Sequence, residues 1–148
     1  MASHSNHLYL MSSNERHCQF WFNGLGLYSS NYHLMVVNEV LSKNGIKGLS
    51  NKIESNIIEN EISLLLIEPS SPVLNPFFVL YLKKIYNLMI VLLNIDDEIK
   101  FEWINSNYAT VVDLTLSSDY VSVERFRQAG VNAYHFTHPF SFYIPEHN

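Results

Sequence analysis

The sequence predicts a single α/β domain with a Rossmann-like, doubly wound and mostly parallel sheet of five or six strands and helices on both faces. Two observations support this prediction. Mostly apolar runs, typical of strands that are covered on both faces, begin near residues 62, 88, 110 and 131. A helical pattern fills each gap between them, which is the spacing that right-handed βαβ crossovers require.

The first part of the chain gives weaker signals. Residues 1–16 are polar apart from an apolar patch at 8–11, and we expect a loose end or a short edge strand. Residues 19–22 have the pattern of a buried strand, which ends at a turn containing Gly24 and Gly26.

A helix is predicted to begin after the polar residues 29–31, which are of the types that cap helices. Apolar residues at 34, 37 and 41 then recur at helical spacing, and Gly45 suits the position just after a helix end. Residues 46–60 are ambiguous, with 46–49 as a possible short strand before a polar surface connection.

The remaining elements follow a regular order. The strand at 62–67 precedes a helix that Asn75 caps and whose first turn suits Pro76. The strand at 88–93 precedes a helix capped by Asp96. The strand at 110–116 precedes a helix that residues 117–119 cap and that ends at Gly130. A last strand is predicted at 131–136. The helix at 75–87 is apolar nearly all round, so it is expected to be buried or to face a partner.

The length of 148 residues fits one domain. We expect a flexible segment at 1–16, a Rossmann-like α/β domain at 17–139, and a tail or the start of an interdomain linker at 140–148.

Composition excludes several classes of function. The formal net charge is −5 and no basic stripe is present, which argues against nucleic acid as a partner. Cys18 is the only cysteine, so neither an internal disulfide nor a thiolate metal site is expected. Features of a secretory signal and of a transmembrane segment are both missing, and we expect a cytoplasmic protein.

Ligands of open parallel sheets bind at the carboxyl ends of the strands. The loops that follow the predicted strands therefore supply the candidate site residues. Asp96 and Asp97 are the candidate catalytic residues. The candidate substrate-binding residues are Gly24, Gly26, Ser70, Ser117, Ser118 and His138.

Asp96 and Asp97 allow two interpretations. Their carboxylates could orient hydroxyl groups or act as a general base, or they could simply cap a helix and favour its dipole. Asn94-x-Asp96 only faintly imitates the Asp-x-Asp pair that binds metal in some nucleotide-sugar enzymes. His135 and His138 would lie on opposite faces of a strand, so no metal and no cofactor are expected.

Four pieces of sequence, at 62–72, 91–97, 113–118 and 126–130, follow the order of a known pattern. The most telling is Phe-Arg-Gln-Ala-Gly at 126–130. Through them residues 61–139 resemble the N-terminal half of GT-B glycosyltransferases, in the spore-maturation-protein-like branch.

The resemblance implies the acceptor-binding half of a metal-independent transferase that is inactive alone. Its implied partners are a sugar or other glycosylatable acceptor and a nucleotide-sugar-binding domain, in cis or in trans. Asp96 or Asp97 would be the base. The alternative is a non-enzymatic protein-interaction or small-molecule-binding regulatory module on the same scaffold, with the helix at 75–87 as a contact surface.

Overall fold

A computed structural model describes residues 6–11, 31–68, 74–94, 106–108 and 110–136. The strands are β1 (Asn6–Met11), β2 (Tyr32–Val36), β3 (Ile62–Ile67), β4 (Met89–Asn94), β5 (Leu114–Ser117) and β6 (Ala133–His135). The helices of the described part are α1 (Val37–Glu59), α2 (Pro76–Tyr86), the short α3 (Ser106–Tyr108) and α4 (Tyr120–Gln128).

The six strands form one sheet in the order β2-β1-β3-β4-β5-β6. Every neighbouring pair is parallel. The predicted α/β class and the parallel arrangement of the four later strands are therefore confirmed. The chain moves to one side of β1 to form β2 and to the other side to form β3, so the switch in strand order lies beside β1.

Alternation along the strands separates the buried side chains into two clusters, one on each face of the sheet. Leu8 and Leu10 of β1 face the first cluster, to which the helices also contribute. The helical members of this cluster are Val37, Val40, Leu49, Ile53, Ile57, Val79, Leu82, Tyr108, Val123 and Phe126. The described helices thus all pack on the same face.

The second face is also apolar. Its buried members are Tyr9, Met11, Leu66, Val91 and Leu93. Within the described residues no helix contributes to this cluster. Helices on this face therefore stay a prediction for segments outside the described residues. Burial on both faces explains why β3 and β4 are continuous apolar runs.

The beginning of the chain differs from the expectation, because residues 6–11 form an inner strand of the sheet. β1 is neither a loose end nor an edge strand, because it lies between β2 and β3. Its four last residues, at 8–11, are all buried, two toward each cluster. The predicted strand at 19–22 falls outside the described residues, and the domain boundaries stay a prediction.

The helix predicted from residue 31 is wrong at its start. Residues Tyr32–Val36 form β2, where Leu34 pairs with Tyr9 of β1. Helix α1 begins only at Val37 and continues to Glu59, so the possible strand at 46–49 is also wrong. Gly45 does interrupt α1, with φ 67° and ψ −178°.

The later caps agree with the sequence. The side-chain oxygen of Asn75 accepts a hydrogen bond from the Phe78 N–H at 2.9 Å, and Pro76 occupies the first turn of α2. Asp119 caps α4. Strand β5 begins at Leu114, later than predicted, since Thr110 and Val111 form a turn. The predicted cap at Asp96 lies outside the described residues.

Candidate functional site

Three polar side chains form a row across the carboxyl ends of neighbouring strands. Asn94 ends β4 and pairs with Ser117 of β5, and Ser117 pairs with His135 of β6. Neighbouring strands are about 4.8 Å apart, and the alternation places all three residues on the face that carries the helices. We call Asn94, Ser117 and His135 the polar row.

Asn94 is the unusual member of the polar row. Its side chain is 0% exposed, and neither its amide nitrogen nor its amide oxygen has a hydrogen-bond partner. Thr115, on the same face of β5, is also fully buried with an unpaired hydroxyl. Leaving a buried polar group unpaired costs about 1–3 kcal/mol, so these two residues mark a site that favours a polar partner.

Ser117 connects the polar row to the start of α4. Its hydroxyl donates to the backbone oxygen of Asp119 at 3.1 Å and accepts from the Asp119 N–H at 3.0 Å. The Asp119 carboxylate in turn accepts from the N–H groups of Val121 at 3.2 Å and Ser122 at 2.8 Å. Helix α4 therefore begins at a fixed position relative to the end of β5.

The electrostatics at this helix start disfavour an anion. Burial of the Asp119 carboxylate raises its pKa, but hydrogen bonds from Ser122 and Val121 and the charge of Arg125 outweigh this and lower the pKa overall. Asp119 is thus a carboxylate at neutral pH and already occupies the N–H groups that an anion would need. A neutral ligand fits this edge better than a phosphate.

His135 and Tyr120 close the outer end of the polar row. Their rings are stacked, with centroids 3.6 Å apart and an interplanar angle of 9°. The Tyr120 side chain is 69% exposed. The row thus runs from a buried amide at Asn94 to an aromatic pair that is open to solvent.

Two of the predicted site residues lie in the described part of the chain. Ser117 and Ser118 are both at the carboxyl edge, and the Ser118 N–H donates to the Asn94 backbone oxygen at 3.2 Å. Ser117 is fully buried, so it supports α4 instead of facing solvent. The other predicted site residues lie outside the described residues and stay predictions: Gly24, Gly26, Ser70, Asp96, Asp97 and His138.

In the sequence, Asn94 stands out only as the first residue of the loop after the strand and as half of a faint metal pair, and Thr115 does not stand out. The available signal was a polar residue at the end of the apolar run 88–93, on a strand covered on both faces. No group of three or more His, Cys, Asp or Glu that could hold a metal occurs among the described residues.

The opposite edge of the sheet has cavities but a different chemistry. One, of about 550 Å³, is lined by residues that include Lys83 and Asp113, and another, of about 410 Å³, also touches Asp113. Lys83 and Asp113 form an ion pair at 2.8 Å, so these polar groups already have partners. Of the unpaired buried side-chain groups among the described residues, the Asn94 amide lies at the carboxyl edge and the Thr115 hydroxyl lies two residues further into the sheet.

Helix α2 presents a second exposed feature. Its inner face buries Val79 and Leu82, whereas Phe77, Tyr81 and Ile85 on its outer face are 84%, 44% and 60% exposed. These three residues, spaced four apart, form a stripe along the helix. The chain's own core therefore buries only the inner face of this helix. That the outer face contacts a partner stays a prediction. No helix of the described residues is both long and apolar enough to cross a membrane, and the cytoplasmic location stays a prediction.

Comparisons with known proteins identify the fold. No protein-family model and no curated protein matches this chain. Among solved structures, it is similar to the signal receiver domain of an HD domain-containing protein from Pseudomonas fluorescens Pf-5, with a TM-score of 0.56. The sequence identity is 13%, and the match covers 88% of this chain and 95% of that domain.

This finding overturns the resemblance to GT-B glycosyltransferases. The structure also separates two residues that carried the resemblance. Asp113 and Ser118 lie at opposite ends of β5, and Asp113 forms an ion pair with Lys83. The predicted role as the acceptor-binding half of a glycosyltransferase rested on that resemblance and is wrong with it. The acceptor and the nucleotide-sugar-binding domain lose their support as partners, and neither has been tested.

Proposed function

We propose that this chain is a non-enzymatic regulatory module that binds a small neutral molecule at the carboxyl edge of its sheet. The single observation that supports the proposal most is the fully buried Asn94 amide with both polar atoms unpaired. The similarity in fold to a signal receiver domain agrees with a regulatory role and gives no catalytic one.

The chemistry of Asn94 defines the ligand class. Its side chain offers one hydrogen-bond acceptor and two donor hydrogens, and Thr115 adds a hydroxyl on the same face. A ligand with an amide, a urea or a similar donor–acceptor edge would pair with them. The apolar surroundings disfavour a ligand of either charge, and the negative charge of Asp119 disfavours an anion further.

Binding of a ligand at Asn94 would change the position of α4. Asn94 pairs with Ser117 across the strands, and its backbone oxygen accepts from Ser118. Ser117 holds the cap residue Asp119. A ligand that moves the end of β4 therefore also moves the beginning of α4, which carries the exposed Tyr120.

The test compares Asn94→Leu with the unchanged chain. Leucine has a similar volume and no polar atoms, so we expect a higher melting temperature, since an unpaired amide is removed from the core. A library of neutral amides, ureas and nucleosides is then screened by thermal shift, and compounds that stabilise the unchanged chain should not stabilise Asn94→Leu. The matched control is Asn51→Leu on the exposed face of α1, which should keep the ligand response. A lower melting temperature for Asn94→Leu, or an undiminished ligand response, would contradict the proposal.

A protein-interaction role is the second candidate. The stripe of Phe77, Tyr81 and Ile85 favours it, because exposed apolar side chains grouped on one helix face often bind another protein. The double variant Phe77→Ser, Ile85→Ser tests it. We expect an unchanged melting temperature, since neither side chain is buried, and reduced binding to any partner that the unchanged chain recruits.

A further inference from the structure

Within the described residues, the outer edge of β6 has backbone groups without strand partners. β6 is the last strand in the sheet order. Its inner side bonds to β5 through the Thr115 N–H to Asn132 oxygen, at 2.8 Å, and the Phe136 N–H to Ser117 oxygen, at 2.9 Å. In such a ladder the backbone groups of Ala133 and His135 point away from β5. No strand of the described residues pairs with this side.

One side chain covers part of this edge. The Nε of Arg127 on α4 donates to the backbone oxygen of Ala133 at 3.0 Å. Its guanidinium also forms an ion pair with Glu124 at 2.8 Å and lies 5.9 Å from the centroid of the Tyr134 ring. Arg127 therefore wraps around β6 from the helix-bearing face to the opposite face. A charged side chain at a sheet edge is a known means of blocking strand pairing.

We propose that the outer edge of β6 is a pairing surface for a second copy of this chain, and that Arg127 keeps it closed. Two β6 strands can pair antiparallel about a two-fold axis that passes beside Tyr134. In that register Ala133 of each copy faces His135 of the other, and the two residues exchange both N–H···O bonds. The surface is thus self-complementary, as a two-fold interface requires.

The side chain at the centre supports a second copy as the occupant. Tyr134 is 56% exposed, and in this register it lies opposite its own equivalent in a non-hydrogen-bonded pair. Aromatic residues in such cross-strand pairs attract each other. A second copy therefore matches both the backbone groups and the tyrosine of this edge.

Arg127 opposes this pairing in two ways. It occupies the Ala133 oxygen that the His135 N–H of the second copy needs. Across the two-fold axis two Arg127 guanidinium groups would also approach each other and repel. Removing this side chain therefore both frees the acceptor and removes the repulsion.

The experiment replaces Arg127 by methionine, which keeps the aliphatic length without the charge. Sedimentation equilibrium should show self-association strengthened by about tenfold or more. Arg125→Met, which makes the same change of charge on the same helix, is the matched control and should leave association unchanged. Sedimentation of Arg127→Met identical to that of the unchanged chain would overturn the proposal.

Cross-linking then locates the interface. In a Cys18→Ser background, Tyr134→Cys should form an intermolecular disulfide under mild oxidation, because the Cα atoms of a non-hydrogen-bonded pair are about 4.5 Å apart. The rate should rise when Arg127→Met is added. Ile46→Cys on α1, where the native side chain is 67% exposed, is the control and should not cross-link. Equal cross-linking at both positions, or a dimer without the Tyr134→Cys disulfide, would place the contact elsewhere and refute the proposal.

A second variant guards against misfolding. Far-UV circular dichroism shows whether Arg127→Met folds like the unchanged chain. If it does not, Glu124→Gln is used instead, because it leaves Arg127 in place but removes its ion-pair partner. We expect a smaller increase in association and in Tyr134→Cys cross-linking. No increase in a folded Glu124→Gln variant would then count against the proposal.

Discussion

The ammonium group of Lys83 on α2 lies 2.8 Å from the carboxylate of Asp113, directly before β5. The other carboxylate oxygen accepts the Ile90 N–H of β4 at 2.8 Å, and Lys83 also donates to the backbone oxygen of Val111 at 3.2 Å. Asp113 therefore joins a helix and two strands at the amino edge of the sheet.

We expect Asp113→Ala to lower the free energy of unfolding by about 1–3 kcal/mol, because the Ile90 N–H loses its acceptor. Lys83→Met should cost less, about 0–1 kcal/mol, since an ion pair this accessible to solvent is screened. Urea denaturation of both variants measures the difference. A larger loss for Lys83→Met than for Asp113→Ala would show that the ion pair, and not the backbone bond, is the main contribution.

Removal of the α4 cap should also destabilise the chain. We expect Asp119→Ala to lower the free energy of unfolding by about 1 kcal/mol at neutral pH, because the Val121 and Ser122 N–H groups lose their acceptor. Asp119→Asn is the matched control, since asparagine is also a good cap, and it should lose much less. Equal losses in the two variants would point to the charge instead of the cap.

The charge of Asp119 adds a pH dependence with a definite sign. Its pKa is lowered in the folded chain, so its ionised form contributes stability above the unfolded pKa of about 3.9. This contribution is lost as the pH falls through the lower, folded pKa. The stability difference between the unchanged chain and Asp119→Asn should therefore change between pH 5 and pH 2 and stay constant above about pH 5. Denaturation at several pH values measures it, and a difference independent of pH would contradict the expectation.

Glu54 of α1 should control the ionisation of Tyr86 at the end of α2. Its carboxylate accepts from the Tyr86 hydroxyl at 2.7 Å and from the Tyr81 hydroxyl at 3.2 Å. The hydrogen bond with Glu54, with burial and the Glu54 charge, raises the pKa of Tyr86 to about 12. Because the folded pKa lies above that of the unfolded chain, the stabilisation is complete below pH ~10 and is lost as the pH rises toward 12.

The measurement is tyrosinate absorbance during an alkaline titration. Glu54→Gln should lower the pKa of Tyr86 and also that of Tyr81, which the Glu54 charge raises. Tyr86→Phe should remove one tyrosine from the group that ionises last. Tyr108, whose pKa burial raises to about 12, should be unaffected by either change. An identical titration curve for Glu54→Gln would show that Glu54 does not act on Tyr86.

Gly45 should resist substitution. Its φ of 67° and ψ of −178° lie in a region that only glycine occupies easily, and strain there costs about 1–3 kcal/mol. We expect Gly45→Ala to lower the free energy of unfolding by that amount, although a Cβ would meet no atom within 4 Å. Lys43→Ala, at an exposed position of the same helix, is the control. A neutral or stabilising Gly45→Ala would indicate that α1 straightens.

The strands from residue 62 onward could be predicted because burial on both faces leaves a continuous apolar run. The segment from 31 to 60 could not, for two physical reasons. Residues 32–36 are too few to separate a strand period from a helix period, and pairing with β1 decides between them. In 46–59, only Leu49, Ile53 and Ile57 face the core, and their spacing is hidden among polar residues.

The candidate site was predictable as an edge and not as a set of residues. The rule that ligands bind at strand ends pointed to Ser117 and Ser118, which lie at the carboxyl edge, and their role in binding stays a prediction. The unpaired state of Asn94, however, depends on which atoms surround it after folding. The polar row exists only through the register of three strands, which sequence spacing does not specify.

The position of β1 delays the pairing of the sheet during synthesis. Its two neighbours, β2 and β3, lie far along the chain, and its pairing with β3 joins Leu8 to Leu65. The ribosome adds about 5–20 residues per second. Several seconds therefore pass between the synthesis of β1 and the synthesis of β3, and only then can both edges of β1 form hydrogen bonds with their neighbouring strands. During that time the nascent chain exposes a strand edge that chaperones can bind. Slowing or speeding translation between codons 12 and 67 should therefore alter the yield of native protein more than the same change after codon 94.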